Sequence, residues 1–181
     1  MCSMRKEPQS LALQLGATAA RVIETEKLPI EEQFRALCAQ NTCGRYGKAW
    51  QCPPHLPPLA QCALELRAFP CALVVQRVYD LKDDYDWPGM MAAKENFDDW
   101  LRRVRDALRT AGYANLLPLG AGGCALCQPC AYPDSCRHPD AAFASMEGYG
   151  LNVTEVMRNA GIPYRFGNGQ VQYCGLIAFL P

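Results

Sequence analysis

Four cysteines stand within thirteen residues, Cys124, Cys127, Cys130 and Cys136, in the stretch GCALCQPCAYPDSCRHP. The C-x2-C-x2-C run puts three thiols on one curl of backbone, and the fourth follows after five intervening residues. A single zinc ion needs its ligands at the corners of a small tetrahedron and commonly draws them from two knuckles far apart in the chain. A cubic [4Fe–4S] cluster is larger, and successive C-x2-C steps can reach different irons. The ferredoxin run C-x2-C-x2-C-x3-C-P is its nearest template. Here the last interval is five residues, Arg137 stands where the template has proline, and Pro139 comes two residues later. The spacing points first to iron–sulfur chemistry, with zinc and a metal-free redox or disulfide loop as the alternatives. Gly122, Gly123 and Ala125 are small enough to let backbone N–H groups approach the sulfurs, which tunes a cluster's potential.

A second group lies in CAQNTCGRYGKAWQCPPHLPP, where Cys38, Cys43 and Cys52 are spaced x4 and x8. Three thiols match the ligand set of a further cluster with one iron left for another ligand. The competing reading makes Cys38 a buried helix residue. The prolines after Cys52 turn the chain away and remove donors that a dry pocket could not satisfy, and Tyr46 and Trp50 can supply an apolar wall. His55 and His138 each stand beside a cysteine loop, as hydrogen-bond donors, proton carriers, Rieske-type ligands or plain loop residues. Arg45, Lys48 and Arg137 can offset the negative charge of a thiolate-held cluster or bind an anionic substrate. Glu147 is an acid–base candidate or an anchoring carboxylate. Cys2, Cys62, Cys71 and Cys174 fall outside both groups. Buried free cysteine behaves as a small hydrophobe, with Cys62 and Cys174 as outside candidates for a fourth ligand.

The rest of the chain bounds what these thiols can serve. It has 181 residues, 18 basic and 18 acidic, and 11 cysteines. That length suits one domain, 1–181, with a real core. Balanced charge argues against nucleic acid or a membrane surface as partner. No apolar run reaches the length of a bilayer span, and the N-terminal stretch reads as a first helix rather than an export signal. A cytoplasmic protein is expected, in which clustered cysteines bind metal more often than they pair as disulfides.

Periodicity predicts the supporting elements. Strands are expected around 20–25 and 71–79, at ANLLPLG, and at GQVQYCGLIAFL, which is apolar on both faces and reads as a central strand. Helices are expected in PIEEQFRALCAQN, PPLAQCALELRAF and ENFDDWLRRVRDALRTAGY, and in NVTEVMRNAGIPY with Asn152 as its cap. DLKDDYDWPG reads as a solvated turn. The mixture gives an α/β or α+β layered domain: a small sheet, flanking helices and two cysteine-rich metal-binding loops at element ends.

Taken together, C-x4-C-G-R-Y-G-K-A-W-Q-C-P-P, then G-C-A-L-C-Q-P-C with C-R-H-P, then S-M-E-G-Y-G-L-N-V, resemble a family of small cysteine-rich proteins of bacteria and archaea known as predicted metal-binding proteins. The similarity runs from about Ala20 to the end. It implies seven motif cysteines (Cys38, Cys43, Cys52, Cys124, Cys127, Cys130 and Cys136) and metal binding, iron–sulfur in kind, without implying a reaction. One or two [4Fe–4S] clusters are therefore expected, shared between the loops in a way that spacing leaves open. Two roles follow: electron transfer with a redox partner protein, or an enzyme whose open iron acts as a Lewis acid or binds sulfur. A zinc-stabilised binding module is the third. Enzymatic status and any small-molecule substrate stay open.

Overall fold

Two ten-residue strands that are apolar on both sides set the centre of the sheet. In the computed structural model, which describes residues 2, 6–165 and 167–181, β2 (Cys71–Asp80) and β4 (Gln170–Phe179) pair antiparallel along their whole length. Leu73 lies opposite Ile177 and Val74 opposite Leu176. β1 (Ala19–Glu24) adds to the free side of β2, and β3 (Leu116–Leu119) to the free side of β4. The order is β1-β2-β4-β3, antiparallel throughout. Of the two layered classes that the sequence allows, the fold is therefore α+β.

Side chains alternate across these strands, so one sheet feeds two cores. On one face, Leu73, Val75, Ile177 and Phe179 pack under α1 (Lys6–Gln14) and α4 (Trp87–Thr110). The other face carries Ala72, Val74, Cys174 and Leu176. They pack under α3 (Leu59–Arg67), α5 (Val153–Asn159) and the segment around Met146 and Tyr149. Burial on both faces explains why β2 and β4 read as continuous apolar runs.

The spacing of Phe97, Trp100, Leu101, Val104 and Leu108 predicts the buried stripe of α4, and all five are buried. The helix begins earlier than expected, at Trp87, inside the segment read as a solvated turn. The cause is local: the Asp86 carboxylate accepts from Gly89 N–H at 3.0 Å, and Pro88 occupies the first turn, both strong helix-starting features. Asn152 caps α5 as predicted, accepting from Glu155 N–H at 3.3 Å. The predicted helix near Phe34 is short. α2 (Glu32–Leu37) passes into a 3-10 turn over Cys38–Gln40 and ends at Asn41 in the left-handed region.

Cys71 corrects one reading. It is not a free buried thiol: its sulfur is bonded to that of Cys2, 69 positions away in sequence, across a Cα–Cα distance of 5.5 Å. A pairing this remote leaves no local spacing signal. Among the described residues, no helix is long and apolar enough to cross a membrane.

Gly175, in the middle of β4, marks the tightest packing of helix on sheet. A Cβ there would come within 2.9 Å of the Leu119 carbonyl, 3.1 Å of Leu101 and 3.2 Å of Phe97. Gly175→Ala is expected to destabilise the fold by about 1–3 kcal/mol through overpacking. Urea denaturation measures this, and an unchanged midpoint would show that α4 can lift without cost.

Candidate metal centre

Both cysteine loops hang from one end of the fold. α2 carries no buried residue, so packing does little to hold it. Arg35 holds it instead. Its guanidinium donates to the carbonyls of Leu56 and Gly148, each at 3.1 Å, and to the Cys62 sulfur at 3.4 Å. Glu31 N–H also donates to the Gly150 carbonyl at 2.7 Å. Together these contacts fix α2 against α3 and the 3-10 turn Glu147–Tyr149. Sequence reading passes over Arg35, because a charged residue on a short helix defaults to solvent.

With α2 fixed, Phe34, Leu37 and Cys38 form one wall of a cavity of about 380 Å³, and the loop after it brings Cys43, Tyr46, Cys52 and Pro53 to the others. All three thiols of the first group thus line one space. Tight turns shape the loop: Tyr46 N–H donates to the Asn41 side chain at 3.0 Å and Gly47 N–H to the Pro53 carbonyl at 2.9 Å. Gly122, Gly123 and Glu147 close the far side. A Cβ on Gly123 would approach the Cys52 sulfur to 3.3 Å, so glycine is what lets the second loop press against the first.

The second loop leaves the end of β3 and is closed where Gly120 N–H donates to the Ala144 carbonyl and Met146 N–H to the Gly120 carbonyl, both at 2.9 Å. Cys124, Cys127, Cys130 and Cys136 line, with Trp50, Leu126 and His138 among others, a space of only about 10 Å³. Trp50, expected as a wall of the first site, belongs here. Its indole N–H donates to the Asp134 carbonyl at 2.7 Å, and its ring meets Tyr132 edge-on at 5.1 Å. His55 stacks on Tyr132 with ring centroids 3.9 Å apart, and its Nε2 is buried without a partner. The two loops therefore interlock through aromatic contacts.

The remaining candidates separate. His138 lines the four-thiol space but is exposed, as are Lys48 and Arg137. Cys62 is fully buried, bonded to the Pro57 carbonyl at 3.3 Å and to Arg35, a core residue rather than a fourth ligand. Cys174 lines a separate cavity beside the first. Among the described residues, no three His, Cys, Asp or Glu side chains converge closely enough to hold a single ion as they stand.

Electrostatics set the thiols apart. Burial pushes Cys52 up to about 11, with neighbouring Cys43 adding to the effect and Arg45 opposing it. Burial also raises Cys38 and Cys124. For Cys130, burial acts upward but is outweighed by backbone N–H groups of Tyr132, Trp50 and Ala131 and by the Cys127 thiol, so it falls below the ordinary value.

The fold and this site define a cysteine-rich α+β domain of the metal-binding kind. Residues 21–179 match the model of the family described as "Predicted metal-binding protein (DUF2284)", and the chain belongs to that family. No curated protein and no solved structure matches it.

In metal-free protein at about pH 8, Cys130, whose thiol is lowered, is expected to alkylate before Cys38, Cys52 and Cys124, which burial raises, since the thiolate is the reactive form. Mass spectrometry of partly labelled protein checks the order. Folded Cys52 keeps its proton up to about 11, against an ordinary 9.0. Between those values the fold binds more protons than the unfolded chain, and the metal-free protein loses stability as pH rises through them. Thermal melting across that window tests the sign.

Proposed function

We propose that this chain is an iron–sulfur protein with a redox role. In this reading a [4Fe–4S] cluster sits on Cys38, Cys43 and Cys52, and a second is held by Cys124, Cys127, Cys130 and Cys136. The observation that carries the reading is the first cavity: three thiols around about 380 Å³, with glycine where a side chain would intrude. That room far exceeds the roughly 10–15 Å³ that one water-sized sphere needs, and soft thiolate donors suit iron–sulfur clusters. A cluster there supplies a one-electron couple and, with three protein thiolates, one iron free for another ligand. Around it, Gly122 and Gly123 leave space, Phe34 and Tyr46 exclude water, and Arg45 offsets thiolate charge.

The second loop fits by donor set but not by room. The space that its thiols line is only about 10 Å³, so a cubic cluster requires the loop to rearrange. A zinc ion that braces the fold is the second reading for this loop, by its four-thiol donor set, and it too requires the sulfurs to move together from where they stand. The four sulfurs are half-buried, close enough to the surface for electron exchange with a docked partner protein in the cytoplasm.

Metal analysis of anaerobically purified protein tests the proposal. About eight irons and eight sulfides per chain are expected for two cubic clusters, with an EPR signal after dithionite. Cys52→Ser should remove about half the iron, and Cys127→Ser the other half. About four irons with one zinc would leave the second loop as a structural site. Zinc without sulfide would overturn the iron–sulfur assignment altogether.

A further inference from the structure

A third cavity, of about 400 Å³, adjoins the first and shares Cys43, Gly122, Gly123 and Glu147 with it. We propose that this cavity binds a small organic monoanion, a carboxylate on an apolar body, with its charged end at Arg45 and its other end toward Glu147. The proposal rests on the iron–sulfur reading only for what the ligand is brought beside.

The lining sets the class. Trp87 and Met91 from α4, with Tyr164 and Tyr173, give an apolar chamber large enough for an aromatic or branched aliphatic group. Two cations face it, in different states. Lys94 is buried and committed to Asp98 one helical turn along, so that pair adds little net charge. Arg45 is half-buried and acts on the Cys52 thiol, but among the described residues its guanidinium has no hydrogen-bond acceptor and no carboxylate at ion-pair distance. A guanidinium in that state presents a planar fork that matches a carboxylate with two parallel hydrogen bonds.

Glu147 supplies the discrimination. It stands on the wall between the two cavities, and Gly122 N–H donates to its Oε2 at 3.5 Å. A second negative charge on the ligand would face this carboxylate, whereas a neutral or hydrogen-bond-donating end would not. The chamber thus selects one negative charge over two or none. Its bound ligand would lie against the Cys43 side of the three-thiol space, on the side where an iron lacking a cysteine would be reached.

Calorimetric titration of the anaerobically purified, metal-loaded protein tests this with three probes of one shape: benzoate, neutral benzamide and doubly charged terephthalate. Benzoate is expected to bind at least about tenfold more tightly than either of the others, as the loss of one charge-assisted contact implies. Arg45→Met should weaken benzoate by about tenfold or more. Met91→Trp, which fills the chamber from α4 and lies outside both cysteine loops, should abolish binding while iron content stays unchanged. It keeps the test decisive if the Arg45 variant loads poorly. Equal binding of the three probes, or benzoate binding that survives both substitutions, overturns the proposal. Iron and sulfide measured on the same samples separate the two readings. Benzoate binding without iron leaves the cavity assignment standing and removes the cluster; iron without benzoate binding does the reverse. Benzoate should also shift the EPR signal of the reduced protein, and an unshifted signal overturns the placement beside the metal.

Discussion

The guanidinium of Arg35 is the constraint on which the thiol-bearing end of the molecule depends. α2 has only six residues and no buried side chain, too short and too exposed to be stable by itself. Yet it delivers Phe34, Leu37 and Cys38 to one wall of the three-thiol cavity. Three polar contacts from a single side chain fasten it to α3, to the approach to α3 and to the turn at Gly148. The sheet and its two cores are complete without α2, so the fold is a rigid platform with a lightly attached wall. What fills the cavity then contributes to holding that wall, which is the usual coupling between metal capture and local folding.

A second tension runs through the site. Packing seven thiols into two adjoining loops requires burial, and burial opposes the ionisation that metal binding needs. Cys52 shows the conflict most strongly, held near 11. Cys130 shows one relief, since backbone N–H groups from both loops converge on it. Arg45 shows another, a nearby cation that favours the thiolate. The interlock of Trp50, His55 and Tyr132 is therefore more than packing: it carries the donors of the first loop to a sulfur of the second.

Local pattern made much of this legible in the sequence. The stripe on α4, the Asn152 cap, the β-rich run of β2 and the two-sided apolar run of β4 depend on near neighbours. So does the grouping of cysteines, because thiols a few residues apart stay together whatever the topology. Strand order was not legible, since β2 pairs with a strand a hundred residues away and no local feature encodes that choice. The Cys2–Cys71 bond and the Arg35 clamp were missed for the same reason: each joins distant segments through residues whose default is elsewhere. The early start of α4 was missed differently. Its cap and proline were present in DYDWPG, but the acidic run around them suggested solvent. Trp50 went to the other loop from the one expected, because a ring in a turn can swing to either side and only the tertiary contact with Tyr132 decides.

Gly123 has a consequence of another sort. It brings the second loop so near the first that a Cβ there would stand 3.3 Å from the Cys52 sulfur, and its chain neighbour Cys124 already acts electrostatically on Cys52. So thin a partition insulates poorly. Charge placed on one side is felt on the other at short range and in a partly dry medium, where Coulomb interactions are several times stronger than in water. The two chambers cannot be filled or charged as independent vessels. Their occupancies would titrate as a linked pair, with apparent midpoints that belong to the pair rather than to either member.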